Sequence, residues 1–328
     1  MSSQPLLQVR DLSITLTRAG MHLPVLDAVS FDVAAGEVLG VVGESGAGKS
    51  VAGAAIIDLL VPPLRRASGA ISLGGDRLDL MRPAEMRRVR GKRVGFVFQD
   101  PMTSLNPVLS IGRQLTDTMR THLKLGRGAL RSRALDWIER VGLPNPRRVF
   151  DAAPHELSGG QRQRIVIALA LCAEPDIVIA DEPTTALDVS VQAQMLDLMR
   201  TLHAETGAAM LLITHDLGVV AKMADRVAVF YAGRVVETAP TRTLFEAPRH
   251  PYTAGLMAAT PAPDHEGRMQ VTAIPGAMPG IGALPSGCAF HPRCVRAKAD
   301  CLSMAPPLSP LGDGAAACFH PLQRKDVP

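Results

Sequence analysis

The run Val38-Leu39-Gly40-Val41-Val42, followed by Gly43-Glu44-Ser45-Gly46-Ala47-Gly48-Lys49-Ser50, constrains the fold more than any other stretch of the chain. The short apolar run predicts a buried strand, and Val51 to Leu60 predicts a helix. Strand, glycine-rich loop and helix in that order make a phosphate loop. Its glycines let backbone N–H groups turn toward phosphates, its lysine balances their charge, and its serine hydroxyl is a magnesium ligand.

The remaining pattern predicts an α/β protein. Val94 to Phe98, Ile177 to Ala180 and Met210 to Ile213 are short apolar runs, and the last two are separated by the helical pattern Val191 to Ala204. That alternation is expected of a parallel sheet covered by helices. Ahead of the phosphate loop, Leu6 to Leu16 and Val29 to Val33 alternate apolar and polar side chains, which predicts an antiparallel β subdomain with one buried face. Ile111 to Gly142 reads as a helical subdomain. Arg226 to Tyr231 and Arg234 to Thr238 flank Ala232-Gly233 as a hairpin. Beyond about Pro248 the composition shifts, and prolines and glycines crowd Pro261 to Gly287, so this tail is not expected to form a periodic core of its own.

Composition narrows the class. With 328 residues and 47% hydrophobic content the chain can bury a sizeable core, one main domain plus an appendage. Its apolar runs are interrupted well short of the ~18 residues that a membrane span needs. A membrane role is therefore expected to be peripheral. The opening Met1-Ser2-Ser3-Gln4-Pro5 has no basic region leading into an apolar core, so no secretory signal is expected. The formal charge of +4 is mild, and apart from short clusters such as Arg87-Arg88 and Arg90 to Arg93 the basic residues are scattered. No nucleic-acid partner is expected.

The other polar motifs fit nucleotide hydrolysis. Asp181 and Glu182 end an apolar strand: Asp181 can hold magnesium through water, and Glu182 can orient an attacking water as general base. His215 stands in the same relative place after the next strand and reads as a γ-phosphate contact. Gln99 ends the strand Val94 to Phe98 and can reach magnesium or the water. Leu157-Ser158-Gly159-Gly160-Gln161 opens a helical run, where an anion is favoured. The chain already has a phosphate loop, so this second anion-binding element is best used on another subunit's nucleotide.

In order and wording these motifs resemble an ABC transporter ATPase, a P-loop NTPase. Three phrases narrow the resemblance: Gln99 to Pro107, Asp181 to Ser190, and His250-Pro251-Tyr252 through Leu256. They are similar to the ATP-binding subunits of the dipeptide, oligopeptide and nickel importers, over about Leu6 to Cys318. The resemblance implies an ATPase domain over residues 1–250 with a helical subdomain at about 100–165, and an extension over 251–328. It implies ATP and Mg2+ as cofactors, and two ATPase subunits packed head to tail, the second a related partner. Each ATP would lie between the phosphate loop of one subunit and Ser158 to Gln161 of the other, with Asp188 at the seam. Two transmembrane permease subunits would dock on Gln99 through about Gly112, at the cytoplasmic face of the membrane, and a solute-binding protein would act indirectly. The family stacks adenine on an aromatic side chain ahead of the phosphate loop. Leu12 to Ser30 holds no Phe, Tyr or Trp, which leaves Met21 or His22 for that role.

Cys288, Cys294, Cys301 and Cys318 fall in the tail, whereas Cys172 lies on an apolar helix face and reads as packing. Disulfides are not expected in a cytoplasmic chain. Four thiolates suit zinc or an iron–sulfur cluster, and unligated structural thiols stay open as a third reading. Gly287 to Cys294 resembles the C-terminal region of peptide-importer ATPases, some of which carry a 4Fe-4S cluster. His291 and His320 are bystanders if all four ligands are thiolates. A rival function, a soluble ABC ATPase acting on nucleic acid or ribosomes, generally needs long insertions or a second ATPase domain, and neither is seen in the sequence. An exporter generally carries fused membrane helices.

Overall fold

Alternation in the first thirty residues does become a sheet. Strand Leu7–Arg18 pairs antiparallel with Leu64–Leu73, which pairs in turn with Asp76–Arg77, and Met21–Val33 lies on the other side of Leu7–Arg18. Leu7, Val9, Leu12 and Ile14 point inward and are fully buried, as an alternating strand with one covered face requires. The computed structural model describes residues 5–185, 188–260, 262–263, 269–270 and 272–323. The stretch Pro261 to Gly287 and the phrase Asp181 to Ser190 therefore each include residues outside the described set.

The chain divides into two compact units, Met1–Leu6 with Val33–Glu37 and Leu80–Leu212, and Leu7–Asp32 with Val38–Asp79 and Ile213–Pro328. In the second unit the phosphate-loop strand Val38–Val42 is buried throughout and runs parallel to Arg226–Tyr231. Arg226–Tyr231 forms the expected hairpin with Arg234–Pro240. Its turn places Ala232 at φ 47° and Gly233 at φ 81°, the paired positive values that a two-residue hairpin turn needs.

The tail does not stand alone. Strand Gly314–Ala316 adds to the outer edge of the hairpin, and Ser309–Leu311 adds to it in turn. Phe290 packs edge-on against Tyr231, at 5.2 Å between ring centroids, and at a tilt against Tyr252, at 5.3 Å. These rings join Val42, Val227, Val229 and Leu244 in one hydrophobic cluster. A segment too irregular for its own core is stabilised by sharing the core of the phosphate-loop unit.

The first unit carries parallel strands Val94–Val97 and Ile177–Asp181, with Ala209–Ile213 on the far side of the latter. Its helical region includes the stretch Ile111 to Gly142. It forms two helices, Ile111–His122 and Arg127–Arg140, because the chain turns extended at Leu123 and restarts from Gly126. Leu115, Met119, Trp137 and Ile138 fill the core of this region. Gly112 lets the Phe150 ring lie directly on the helix backbone, since a Cβ there would stand 2.4 Å from it. Among the described residues no helix is long and apolar enough to cross a membrane.

Candidate functional site

The phosphate loop is braced from several sides within its own unit. Gly43 sits at φ 151°, and a Cβ there would meet the Phe230 carbonyl oxygen at 2.2 Å. Gly48, at φ 100°, caps the helix Lys49–Ile56, and a Cβ on it would stand 2.5 Å from Leu26. The helix thus opens on Lys49, two residues before the apolar run that predicts it. Lys49 is buried, and its Nζ donates to the carbonyls of Gly43 at 2.7 Å and Glu44 at 3.0 Å. The Gly233 N–H, from the hairpin turn, donates to the Ala47 carbonyl at 3.0 Å.

Two side chains from beyond residue 250 complete the bracing, and sequence reasoning assigned neither a role. The Tyr252 hydroxyl accepts from the Glu44 N–H at 2.8 Å. Arg293 donates to both oxygens of the Glu44 carboxylate, at 2.6 and 2.9 Å. The phrase His250-Pro251-Tyr252 has a structural explanation. The buried Glu237 carboxylate accepts from the backbone N–H groups of Arg249 and His250, at 2.7 and 2.8 Å. His250 Nδ1 then caps the helix Pro251–Ala258 by accepting from the Tyr252 N–H at 3.0 Å. Burial pushes the His250 imidazole down to about 4, so it stays neutral and can accept that bond at physiological pH. The histidine fixes the helix start, and the helix aims the tyrosine.

His215 lies in the same unit. Thr214 donates its N–H to the Val41 carbonyl at 3.0 Å, so His215 follows directly on the segment bonded to the phosphate-loop strand. Its side chain is exposed.

The acids, Gln99 and the glycine-rich helix start belong to the other unit. Asp181 ends its strand buried, at 8% exposure. Glu182 has φ 48°, a left-handed conformation that costs an ordinary residue about 1–3 kcal/mol. Its Oε2 accepts from Gln99 Nε2 at 3.0 Å and from Thr185 Oγ1 at 2.8 Å. Gln99 and Glu182 are therefore brought together as the sequence pattern implies, and Thr185 joins them. Gln163, 2% exposed, anchors the turn by donating to the Pro183 carbonyl at 2.7 Å.

Ser158 caps the helix Gly159–Leu171 in a reciprocal box. Its hydroxyl accepts from the Gln161 N–H at 3.3 Å, and the Gln161 side chain accepts from the Ser158 N–H at 2.9 Å. Gly159 and Gly160 form the first helical turn, where backbone N–H groups point outward. Asp188 caps the helix Val189–Thr206 by accepting from the Val191 N–H, and the Ser190 hydroxyl holds its carboxyl below the usual range. Met21 is 58% exposed, and His22 is exposed with its ring nitrogen 3.1 Å from the Thr17 hydroxyl.

In the tail, Cys288, Cys294, Cys301 and Cys318 line one small cavity with Phe290 and Pro306 among its walls. Burial, reinforced by the neighbouring thiols, raises the Cys318 thiol to about 11, and Cys288 and Cys294 are raised for the same two reasons. Four soft sulfur donors lining one cavity are a donor set that fits a thiophilic cation. His320 has a partner of its own: its Nε2 lies 2.9 Å from the Asp300 carboxylate, and the donor atoms of Asp300, Cys301 and His320 lie within 4.8 Å of one another. Cys172 is fully buried and burial raises its thiol to about 12, in keeping with a packing role.

A phosphate loop on a parallel strand, a strand-end acid pair with a bonded glutamine, and a separate glycine-rich helix start define an ABC-type ATPase. Residues 26–185 match the ABC transporter family, and residues 236–301 match the oligopeptide/dipeptide transporter C-terminal region. The chain is 46% identical over 309 residues to the oligopeptide transport ATP-binding protein OppD of Bacillus subtilis, covering 94% of this chain and 86% of that one. It is equally similar, 46% over 318 residues, to OppD of Mycobacterium tuberculosis, covering 96% of this chain and 52% of that protein. The dimeric ATP-binding cassette MJ0796, solved with ADP and Pi, aligns with a TM-score of 0.65 at 26% identity over 72% of this chain and 99% of its own. The cassette cbiO1 of Clostridium perfringens aligns at 0.63 and 27% identity over 74% of this chain and 91% of its own. The chain belongs to the ABC transporter family of ATP-binding subunits, and it is an ATPase.

Proposed function

We propose that this chain is the ATP-hydrolysing subunit that energises import of peptides, or a related small solute, through a membrane ABC transporter. The match of residues 236–301 to the oligopeptide/dipeptide C-terminal region, in a chain that also carries every hydrolytic residue type, carries this reading. Functionally the chain reads as an ATPase domain over 1–250, with a helical subdomain at about 100–165, and an extension over 251–328. Gly43 to Ser50 cradle the phosphates. Ser50, Gln99 and Asp181 offer a hydroxyl, an amide and a carboxylate oxygen, a donor set suited to Mg2+, which would offset phosphate charge. Glu182 takes a proton from the attacking water, held in place by Gln99 and Thr185, and His215 contacts the γ-phosphate. Ser158, Gly159, Gly160 and Gln161 serve the nucleotide of a second, related ATPase subunit, with Asp188 at the seam.

Docking on membrane subunits at the cytoplasmic face is supported by apolar side chains on the segment after the strand Val94–Val97. Phe98, Met102, Val108 and Leu109 are exposed, Val108 at 87%. Exposed apolar side chains gathered on one segment mark a partner surface. Replacing Asn106 to Ser110 with glycine and serine is expected to lower copurification of the two permease subunits about tenfold or more, the scale of losing an interface anchor, with basal ATP binding kept. Unchanged copurification would remove the coupling assignment.

The four-cysteine cavity is read as the site of a 4Fe-4S cluster, with zinc as the alternative. A tetrahedral zinc ion needs its sulfurs about 3.8 Å apart, given Zn–S bonds of ~2.3 Å. The four thiols line one cavity, and beside it the donor atoms of Asp300, Cys301 and His320 lie within 4.8 Å of one another. The cluster would act as a structural clip or a sensor. Protein purified without oxygen is expected to be brown, with about four irons and four sulfides per chain. Colourless protein with one zinc would establish the alternative, and metal-free folded protein would end both.

A further inference from the structure

The phosphate loop Gly43 to Ser50 contains a single acid, Glu44. A carboxylate beside a triphosphate repels it, yet every polar group of Glu44 is held by a defined partner. Its carbonyl accepts from Lys49, its N–H donates to the Tyr252 hydroxyl, and its carboxylate receives the Arg293 fork. Arg293 is 4% exposed at its side chain and is itself fixed. Its Nε donates to the Pro275 carbonyl at 2.8 Å, and one terminal nitrogen also lies 3.5 Å from the Tyr231 hydroxyl. Met278 adds a third contact, since its methyl lies 3.0 Å from where a Cβ on Gly46 would stand.

We propose that Arg293 and Tyr252 are positioning residues for nucleotide binding, Arg293 neutralising the Glu44 carboxylate and Tyr252 fixing the loop backbone at Glu44. The inference builds on the ATPase assignment and asks nothing of the cysteine cavity, although Arg293 directly precedes Cys294. A forked pair matters here: the planar guanidinium satisfies both carboxylate oxygens and leaves neither to face the phosphates. Without it, the loop that gathers phosphate would carry an uncompensated negative charge. Tyr252 acts differently, by holding the peptide N–H that begins the loop.

The test is MgADP affinity by calorimetry, and ATP KM against kcat, on the full-length chain. Arg293→Met is expected to raise the MgADP Kd and the ATP KM about tenfold, the scale of one partly screened repulsive charge, with kcat within about twofold. Adding Glu44→Gln to Arg293→Met should restore most of the affinity, because the repelling charge is gone. It also avoids the unpaired charge that could unfold the single variant. Arg293→Lys, keeping charge without the fork, should fall between. Tyr252→Phe should weaken MgADP without being rescued by Glu44→Gln. An unchanged Kd in Arg293→Met, or a loss that Glu44→Gln leaves untouched, overturns the neutralising role, and an unchanged Kd in Tyr252→Phe overturns the backbone role. Iron and zinc content of each variant separates a broken clamp from a disturbed cysteine site, and wild-type protein that fails to bind MgADP would overturn the nucleotide assignment itself.

Discussion

Replacing Glu182 with glutamine is expected to lower ATP turnover by about 10²–10⁴-fold, the usual worth of a positioned general base, while leaving MgATP affinity near its original value. In barrier terms that is about 3–5 kcal/mol. The substitution is nearly isosteric, and the geometry explains why it should be silent in every other respect. The oxygen that accepts from Gln99 Nε2 and Thr185 Oγ1 is kept as an amide oxygen, so both hydrogen bonds survive. The backbone at φ 48° is no harder for glutamine than for glutamate. Only proton acceptance is removed. A rate measured under saturating ATP, together with equilibrium binding, separates the two effects, and hydrolysis at the wild-type rate would mean that another group takes the proton.

Thr185→Val probes the same arrangement more gently, since it removes one of the two donors holding the base without touching the carboxylate. A loss of about 1 kcal/mol of positioning, the net worth of an ordinary hydrogen bond, corresponds to a rate several-fold lower. An unchanged rate would mean that the Gln99 contact suffices.

What could be read from the sequence was what local pattern encodes. The strand Val38–Val42 follows from a continuous apolar run, the hairpin turn from Ala232-Gly233, and the helix start at Ser158 from a capping residue followed by Gln161. Gln99 and Glu182 were each placed by their position at a strand end, and their mutual hydrogen bond follows from the pairing of those two strands. The break between Ile111–His122 and Arg127–Arg140 was not legible, because Leu123, Lys124 and Leu125 are good helix formers and only Gly126 marks the interruption. The clamp on Glu44 was invisible for a different reason. Arg293 and Glu44 are separated by 249 residues, and a long-range charge pair leaves no period and no spacing to detect. The phrase His250-Pro251-Tyr252 is visible in the sequence, yet its purpose depends on Glu237 and Glu44, which only the fold brings near. Likewise the irregular tail gave no sign that Phe290 would complete the packing of Tyr231 and Tyr252.

The phosphate loop itself should be most sensitive at Gly43. Two independent obstacles meet there: φ 151° is a conformation that side chains rarely adopt, and a Cβ would stand 2.2 Å from the Phe230 carbonyl oxygen and 3.4 Å from the Ala47 Cβ. Phe230 cannot move aside, because its strand is held parallel to Val38–Val42 on one side and antiparallel to Arg234–Pro240 on the other. Backbone strain of about 1–3 kcal/mol and overpacking of a similar ~1–3 kcal/mol therefore fall on one residue. Gly43→Ala is expected to lower the thermal midpoint by about 5–10 °C and to reduce MgATP affinity by at least about 100-fold, because a loop displaced at its first residue no longer directs its N–H groups at the phosphates. Gly128→Ala is the matched control. Gly128 lies in the helix Arg127–Arg140 with nothing within 4 Å of an added Cβ, so alanine there should stabilise by about 0.5–1 kcal/mol and leave nucleotide affinity alone. If Gly43→Ala kept both its midpoint and its affinity, the loop would have room that the Phe230 carbonyl denies it, and the close approach of the two strands could not be what shapes the phosphate site.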